Sequence, residues 1–350
     1  MRKSIERIEA DTEGVSYDFP VYRFEGSARD APSAYLQAAL HAGELPGTVA
    51  IDALMPLLAA AEKEDRIRGA ITLVPWANPV GRAQYHFTAH EGRFHLGTRT
   101  NFNRDFLLLE KPDPALLPDE STLSTTDQRL KARLLKLSLG HDIVLDLHCD
   151  DEGVPYLYVP EPLWPAMADC AAAMGVEAVL LWQDECGSAF DEASINPYLG
   201  GNGAELQRKV VATVEYRGMA DVDAGLAQQD AGGLYRLLVA RGVVEDASLP
   251  APGPFGGIVA PLENVEMTAA PKAGAVLYHV RPGDQVERGA RLATIVHAPG
   301  EPDGHTEVIA PQAGYILTRR GHRITRSGED LLKLIGGERS ADARSGTLEA

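Results

Sequence analysis

Cysteine is scarce. The chain has three in 350 residues, Cys149, Cys170 and Cys186. The number is odd and no CxxC pair occurs, which excludes a disulfide framework and makes a reducing compartment, the cytoplasm, the default. Long apolar runs are missing. None approaches the roughly 18 residues that cross a bilayer. The opening stretch, Met1-Arg-Lys-Ser-Ile-Glu-Arg-Ile-Glu9, alternates charge without an apolar centre and does not read as a signal peptide. Basic residues are outnumbered, 33 Lys and Arg against 50 Asp and Glu, for a net charge of -17. That balance argues against nucleic acid and against anionic membranes. An anionic substrate would need arginines gathered locally against this background. No G-x-S-x-G elbow occurs, which disfavours a serine hydrolase.

What is present is an ordinary globular composition, 45% hydrophobic and 24% charged, in a length that fits two domains better than one. Residues 1–30 read as one or two edge strands. Tyr35-Leu-Gln-Ala-Ala-Leu40 is a short apolar strand that runs into His41-Ala-Gly-Glu44-Leu-Pro-Gly. Helical patterns cover Val49 to Lys63, Thr125 to Leu139, Leu163 to Met174 and Asp223 to Arg241. Short apolar strands lie at 70–75, 142–148, 155–159, 178–182 and 209–215, and a Gly- and Asn-rich stretch at 185–203 reads as a loop. Strands alternating with helices predict an α/β fold with a mixed, mostly parallel sheet and helices on both faces. Ser248-Leu-Pro-Ala-Pro-Gly-Pro254 is a linker by composition. The expected division is therefore 1–247, an all-β unit over 255–337, and a disordered polar tail at 338–350. Within the β unit, Ala270-Pro-Lys-Ala-Gly-Ala-Val-Leu is echoed by Ala310-Pro-Gln-Ala-Gly-Tyr-Ile-Leu, an internal duplication.

In such sheets ligands gather beyond the carboxyl ends of the strands. His41, His148 and Glu215 all fall there. His41 and Glu44, three apart in a tight loop, can both reach one divalent ion, and His148 would complete a set of three. Zinc takes imidazole nitrogen and carboxylate oxygen at about 2.0–2.2 Å and keeps a position open for water at a catalytic site. Asp146 is placed to orient the His148 imidazole. Glu215 is the candidate to take a proton from water and pass it to a leaving amine. Arg104 suits bidentate binding of a substrate carboxylate, and Arg93 and Arg99 are both candidates to face the oxyanion. His86, His90 and His95 read as loop histidines. Cys149 could serve as a nucleophile, but its neighbour His148 is better used as a ligand.

Taken in order, His41-x-x-Glu44, Asn78-Pro79, Asn103-Arg104, Asp146-Leu-His148 and the strand-borne Glu215 resemble the succinylglutamate desuccinylase/aspartoacylase family, within the wider zinc carboxypeptidase-like fold. The resemblance covers roughly residues 30–340. It implies a zinc amidohydrolase that cleaves a small N-acyl amino acid. His41, Glu44 and His148 would hold one Zn2+ per chain and Glu215 would be the general base. Asn103 and Arg104 would bind substrate carboxylate, and Arg93 would polarise the carbonyl. The chain departs from the family in His41-Ala-Gly-Glu44, where Asp or Asn commonly precedes the Glu. It also departs in Tyr216-Arg217-Gly218, where a small residue commonly follows the base. Arg217 is accordingly a further candidate for substrate contact.

The C-terminal half resembles a biotinyl/lipoyl-type barrel, with Arg281-Pro-Gly-Asp-Gln-Val-Glu-Arg-Gly as its recurrent turn. The hairpin at 295–308 lacks the lysine that carriers modify, so this unit is expected to pack unmodified beside the active site. Tyr278 and Tyr315 read as core or surface residues. The competing readings are a metallocarboxypeptidase, which needs an open cleft, and an inactive binding or carrier protein. The partner expected is a small anionic molecule, and the sequence leaves homo-oligomer formation open.

Overall fold

The computed structural model of the chain describes residues 1–183, 187–201, 203–341 and 348. Its frame is a nine-stranded sheet in the spatial order Arg2–Glu9, Ser16–Phe24, Ile71–Val74, Ala34–Ala38, Ile143–Asp150, Val210–Gly218, Tyr156–Pro160, Ala178–Trp182 and Ile258–Pro261. Five of the eight pairings are parallel and three antiparallel, so the sheet is mixed. Beyond the antiparallel edge of Arg2–Glu9 and Ser16–Phe24, the antiparallel step between Val210–Gly218 and Tyr156–Pro160 separates a parallel block of four strands from one of three running the opposite way.

Side chains alternate along a strand, so register decides which residues share a face. Gln37 pairs with Asp146, Thr213 with Asp146, and Glu215 with His148. Tyr35, Gln37, Asp146, His148, Thr213 and Glu215 therefore form one polar stripe on one face. The other face, with Leu36, Ala38, Leu145 and Leu147, carries the helix Pro46–Lys63. Pro46 occupies the first turn, where its missing N–H leaves no bond unmade. Ile51, Leu54, Leu58 and Ala61 are buried at helical spacing, and burial of each larger side chain stabilises by about 1.5–3 kcal/mol. The helix approaches closely because residue 47 is glycine. A Cβ there would lie 2.5 Å from the Leu147 Cβ.

On the stripe face lies a helix over Phe190–Leu199, whose Phe190 ring packs 6.0 Å from Tyr35. This corrects the expectation of a loop over 185–203. The helix is buried nearly all round, from Phe190 through Ile195 and at Pro197 and Tyr198. It therefore shows no polar–apolar period to read in the sequence. Cys186, which shares the stretch 184–186, lies outside the described residues.

The C-terminal half builds two small sheets. Gly274–Tyr278 lies in one and Gly314–Arg319 in the other, so each copy of the duplicated Ala-Pro-x-Ala-Gly stretch leads into a corresponding strand. Ala270 and Ala310 are buried in separate apolar clusters, one per copy. Ile258–Pro261 does not belong to this unit. It closes the large sheet beside Ala178–Trp182. The two halves are also stitched by Glu152–Gly153, which pairs with Thr318 and Arg319. Of the tail, the start is ordered. Ser340 N donates to Glu263 O at 2.9 Å, and its hydroxyl donates to Glu266. Leu348 is buried. Residues 342–347 and 349–350 lie outside the described residues. No described helix is long and apolar enough to cross a membrane.

Candidate metal centre and active site

His41 follows the strand Ala34–Ala38 after a single residue of positive φ, Ala39 at 57°. Asn78 braces this exit: its Nδ2 donates to Leu40 O at 2.8 Å and its Oδ1 accepts from Gly81 N at 2.7 Å. The turn then brings Glu44 N to His41 O at 2.9 Å. His148 arrives from the neighbouring strand. His41 Nδ1 lies 2.9 Å from Glu44 Oε1, and His148 Nδ1 lies 2.7 Å from Glu44 Oε2.

The far nitrogen of each imidazole is held by an oxygen. His41 Nε2 lies 2.8 Å from Asn101 Oδ1, and that oxygen is fixed as an acceptor because Asn103 N also donates to it at 2.8 Å. His148 Nε2 lies 2.8 Å from Asp146 Oδ2. Each Nε2 thus has an acceptor behind it, and each Nδ1 faces the Glu44 carboxylate. Burial would lower His148, but Asp146 and Glu44 on either side outweigh it and favour its protonated form. Loss of the Nδ1 proton would free that lone pair for a metal ion. The donor atoms of His41, Glu44 and His148 lie within 4.8 Å of one another, and this is the single such group among the described residues. Two imidazoles and a carboxylate, oriented from behind and buried, fit a divalent metal ion.

The frame behind the ligands continues inward. Asp146 is fully buried and takes Gln37 Nε2 at 3.0 Å, and Gln37 Oε1 takes the Tyr35 hydroxyl at 2.8 Å. Asp146→Ala is expected to weaken metal affinity about 10- to 100-fold, as loss of an outer partner does. A competition titration against a chromophoric chelator measures it.

Burial would raise the Glu44 carboxyl, but the adjoining imidazoles His41 and His148 outweigh it and hold it well below the usual range. Burial lowers His41 toward its neutral form. Burial also pushes the Glu215 carboxyl up to about 8, with Glu44 and Asp150 adding to the rise against His148 and Lys333. Glu215 Oε2 is buried without a hydrogen-bond partner among the described residues.

These residues line one cavity of about 540 Å³. Arg93 enters it, with a terminal nitrogen 3.1 Å from both Glu44 Oε1 and His41 Nδ1. The segment bearing it is held by Ala42 N to Gly92 O at 3.0 Å, and a Cβ at Gly92 would sit 2.8 Å from Gly43 N. Arg99 is exposed, with φ of 63°, and does not border the cavity. Arg104 and Asn103 both border it. Asn103 is also part of the frame, since its Oδ1 accepts from Phe190 N at 2.8 Å and its Nδ2 lies 3.4 Å from His148 Nε2. His90 reaches the cavity, whereas His86 and His95 do not. Cys149 borders it with a thiol that burial pushes far up, out of the range of a nucleophile.

Arg217 is not brought to the site. The register of its strand shifts between Glu215 and Gly218, Arg217 takes φ of 56°, and its guanidinium pairs with Asp230 on the helix Ala224–Ala240. Adjacency to Glu215 in sequence is lost at the bulge.

Gln37 and Lys333 go unassigned by sequence reasoning, and Asn101, whose amide the sequence offers toward the oxyanion, instead holds His41 from behind. Lys333 had no signal, because it arrives from the C-terminal half. Its Nζ lies 2.5 Å from Asp150 Oδ2, 3.2 Å from the Tyr156 hydroxyl and 3.4 Å from the Tyr158 hydroxyl. Its side chain is 12% exposed. Lys333→Met leaves Asp150 without its cation and is expected to destabilise by about 3 kcal/mol, read from the urea midpoint. Tyr278 and Tyr315 stay outside the cavity, donating to Leu331 O and to Glu177.

Comparison with known proteins places this arrangement. Residues 30–241 match the family model described as the succinylglutamate desuccinylase/aspartoacylase catalytic domain. No curated protein matches the chain. Among solved structures, a succinylglutamate desuccinylase/aspartoacylase family protein from Shewanella amazonensis SB2B is 28% identical, with a TM-score of 0.83, over 96% of this chain and 99% of its own. A protein described in the same terms from Shewanella frigidimarina NCIMB 400 is 25% identical, with a TM-score of 0.82, over 96% of this chain and 97% of its own. The product-bound ectoine utilization protein EutE (DoeB) from Ruegeria pomeroyi shares the fold at 19% identity, with a TM-score of 0.68, over 95% of this chain and 96% of its own.

Proposed function

Because the chain belongs to the succinylglutamate desuccinylase/aspartoacylase family, we propose that it is a zinc-dependent amidohydrolase releasing a carboxylic acid and an amine from a small N-acyl amino acid. The observation that carries this reading is the convergence of His41, Glu44 and His148 beside an unpartnered Glu215 oxygen in one cavity. A zinc ion held by those three would supply Lewis acidity and make water a nucleophile near neutral pH.

The chain's own groups do the rest. Glu215 Oε2 takes the proton of the attacking water and returns it to the departing amine nitrogen. Arg93 faces the carbonyl oxygen as it gains charge. Arg104, with Asn103 beside it, takes the substrate carboxylate. Lys333, Arg319 and Arg320 from the C-terminal half border the cavity, and a cap of this kind favours small molecules over peptides. A panel of N-acyl amino acids and C-terminally free peptides, assayed for amine release with ninhydrin, tests the proposal. Release from the former and not the latter supports it. Release from peptides alone supports the carboxypeptidase alternative.

A further inference from the structure

The polar end of the cavity leaves its deeper part unexplained. From Glu215 the cavity runs down the stripe face, past Thr213 and Tyr158, which pair across the antiparallel step. It reaches Trp182, which pairs with Pro160 two residues further along the strand of Tyr158. Here the wall is Trp182, Leu262 and Leu348, all members of the large apolar core, with Tyr158 and Met267 packed against it. Met267 is cross-strand partner to Lys333, so the C-terminal half turns this pair toward the catalytic sheet. The Trp182 indole N–H is buried without a hydrogen-bond partner among the described residues.

Most of the cations nearby are already engaged by carboxylates. Lys333 is held by Asp150 and Arg319 by Glu152 at 2.5 Å, while Arg320 lies 3.9 Å from Asp151 and from Glu329 with its Nε buried and unpartnered among the described residues. His322 is exposed at the mouth. Arg217 is tied to Asp230. A second carboxylate seated against Trp182, Leu262 and Met267 would meet apolar carbon and the single indole N–H of Trp182, one neutral donor against the desolvation of a full charge. An apolar group meets a wall that fits it, of Trp182, Leu262, Met267 and Leu348.

Resting on the deacylase reading, we propose that the substrate carries an apolar group of about four or more carbons, on its acyl chain or its amino-acid side chain. This group would seat against Trp182, Leu262 and Met267, with Met267 setting the preference. Such a substrate differs from one built on succinate or aspartate.

Two substrate series test the proposal and separate the two positions. One varies the acyl group from acetyl through butanoyl and hexanoyl to succinyl on a fixed amino acid. The other varies the side chain from alanine through norleucine to aspartate on a fixed acetyl. The expected result is a rise in kcat/KM of roughly fourfold per methylene in one series, as burial of one CH₂ gives, with the dicarboxylic member at the bottom. Met267→Ala should lower kcat/KM for the best substrate about tenfold and flatten the chain-length dependence of the responding series. A flat or falling response in both series, or succinyl or aspartate above its apolar counterpart, overturns the inference while leaving deacylation intact. If no member is hydrolysed the deacylase reading falls. The compartment is then tested by thermal shift alone: hexanoate should stabilise at lower concentration than succinate, and the reverse order overturns it.

Discussion

Glu215→Gln is expected to lower kcat by about a thousandfold while the protein still binds metal with near-native affinity. General-base catalysis contributes about 10²–10⁴-fold, and the glutamine amide keeps the shape of the side chain without a proton-accepting charge. Glu215 lines the cavity but is not one of the three converging donors, so the metal set stays whole. The pairing of losses is what matters. A residue that merely held the strand end would lower stability and activity together. Burial lifts the Glu215 carboxyl to about 8 in the protein alone. A divalent cation nearby favours the ionised form, so zinc titration should move the acid limb of the activity profile downward in the wild type. That limb should vanish in the variant. Single-turnover rates against pH, with metal content measured on the same samples, check both statements.

The second large effect is expected at Arg93. Removing a preorganised donor aimed at developing negative charge lowers kcat by about 10²–10³-fold, and Arg93→Ala should fall in that range. Arg99→Ala should stay within twofold. The two arginines are six residues apart and look alike in sequence. The difference arises in three dimensions. Phe94 and Asn101 form a β-bridge that folds the segment back on itself. This leaves Arg93 at the cavity and puts Arg99 at the exposed tip. Steady-state kinetics on both variants, with KM reported separately, measures the contrast.

The same segment shows what the sequence could and could not reveal. The convergence of His41, His148 and Glu215 on one cavity was legible because each lies toward the end of an apolar strand, where ligands gather, and Glu44 was legible from its spacing of three from His41 in the turn that follows. Asp146 was legible because strand alternation puts it on the face of His148. Arg217 misled because a bulge, which no pattern announces, rotates it onto Asp230. The helix Phe190–Leu199 was hidden by being buried on nearly every side. Lys333 was hidden by distance along the chain, since only docking of the C-terminal half sets it against Asp150. Ile258–Pro261 follows a Pro-rich linker and looks like the start of a new unit, yet hydrogen bonding assigns it to the first sheet.

The most direct measurement is elemental analysis of protein purified without chelator and supplied with zinc, for the wild type and His148→Ala, alongside ninhydrin-detected amine release. One zinc per wild-type chain and none in the variant is expected, with amine release lost in step. No metal in either protein would contradict this, and the converging His41, Glu44 and His148 would then have to be read as a buried hydrogen-bond cluster rather than a metal centre.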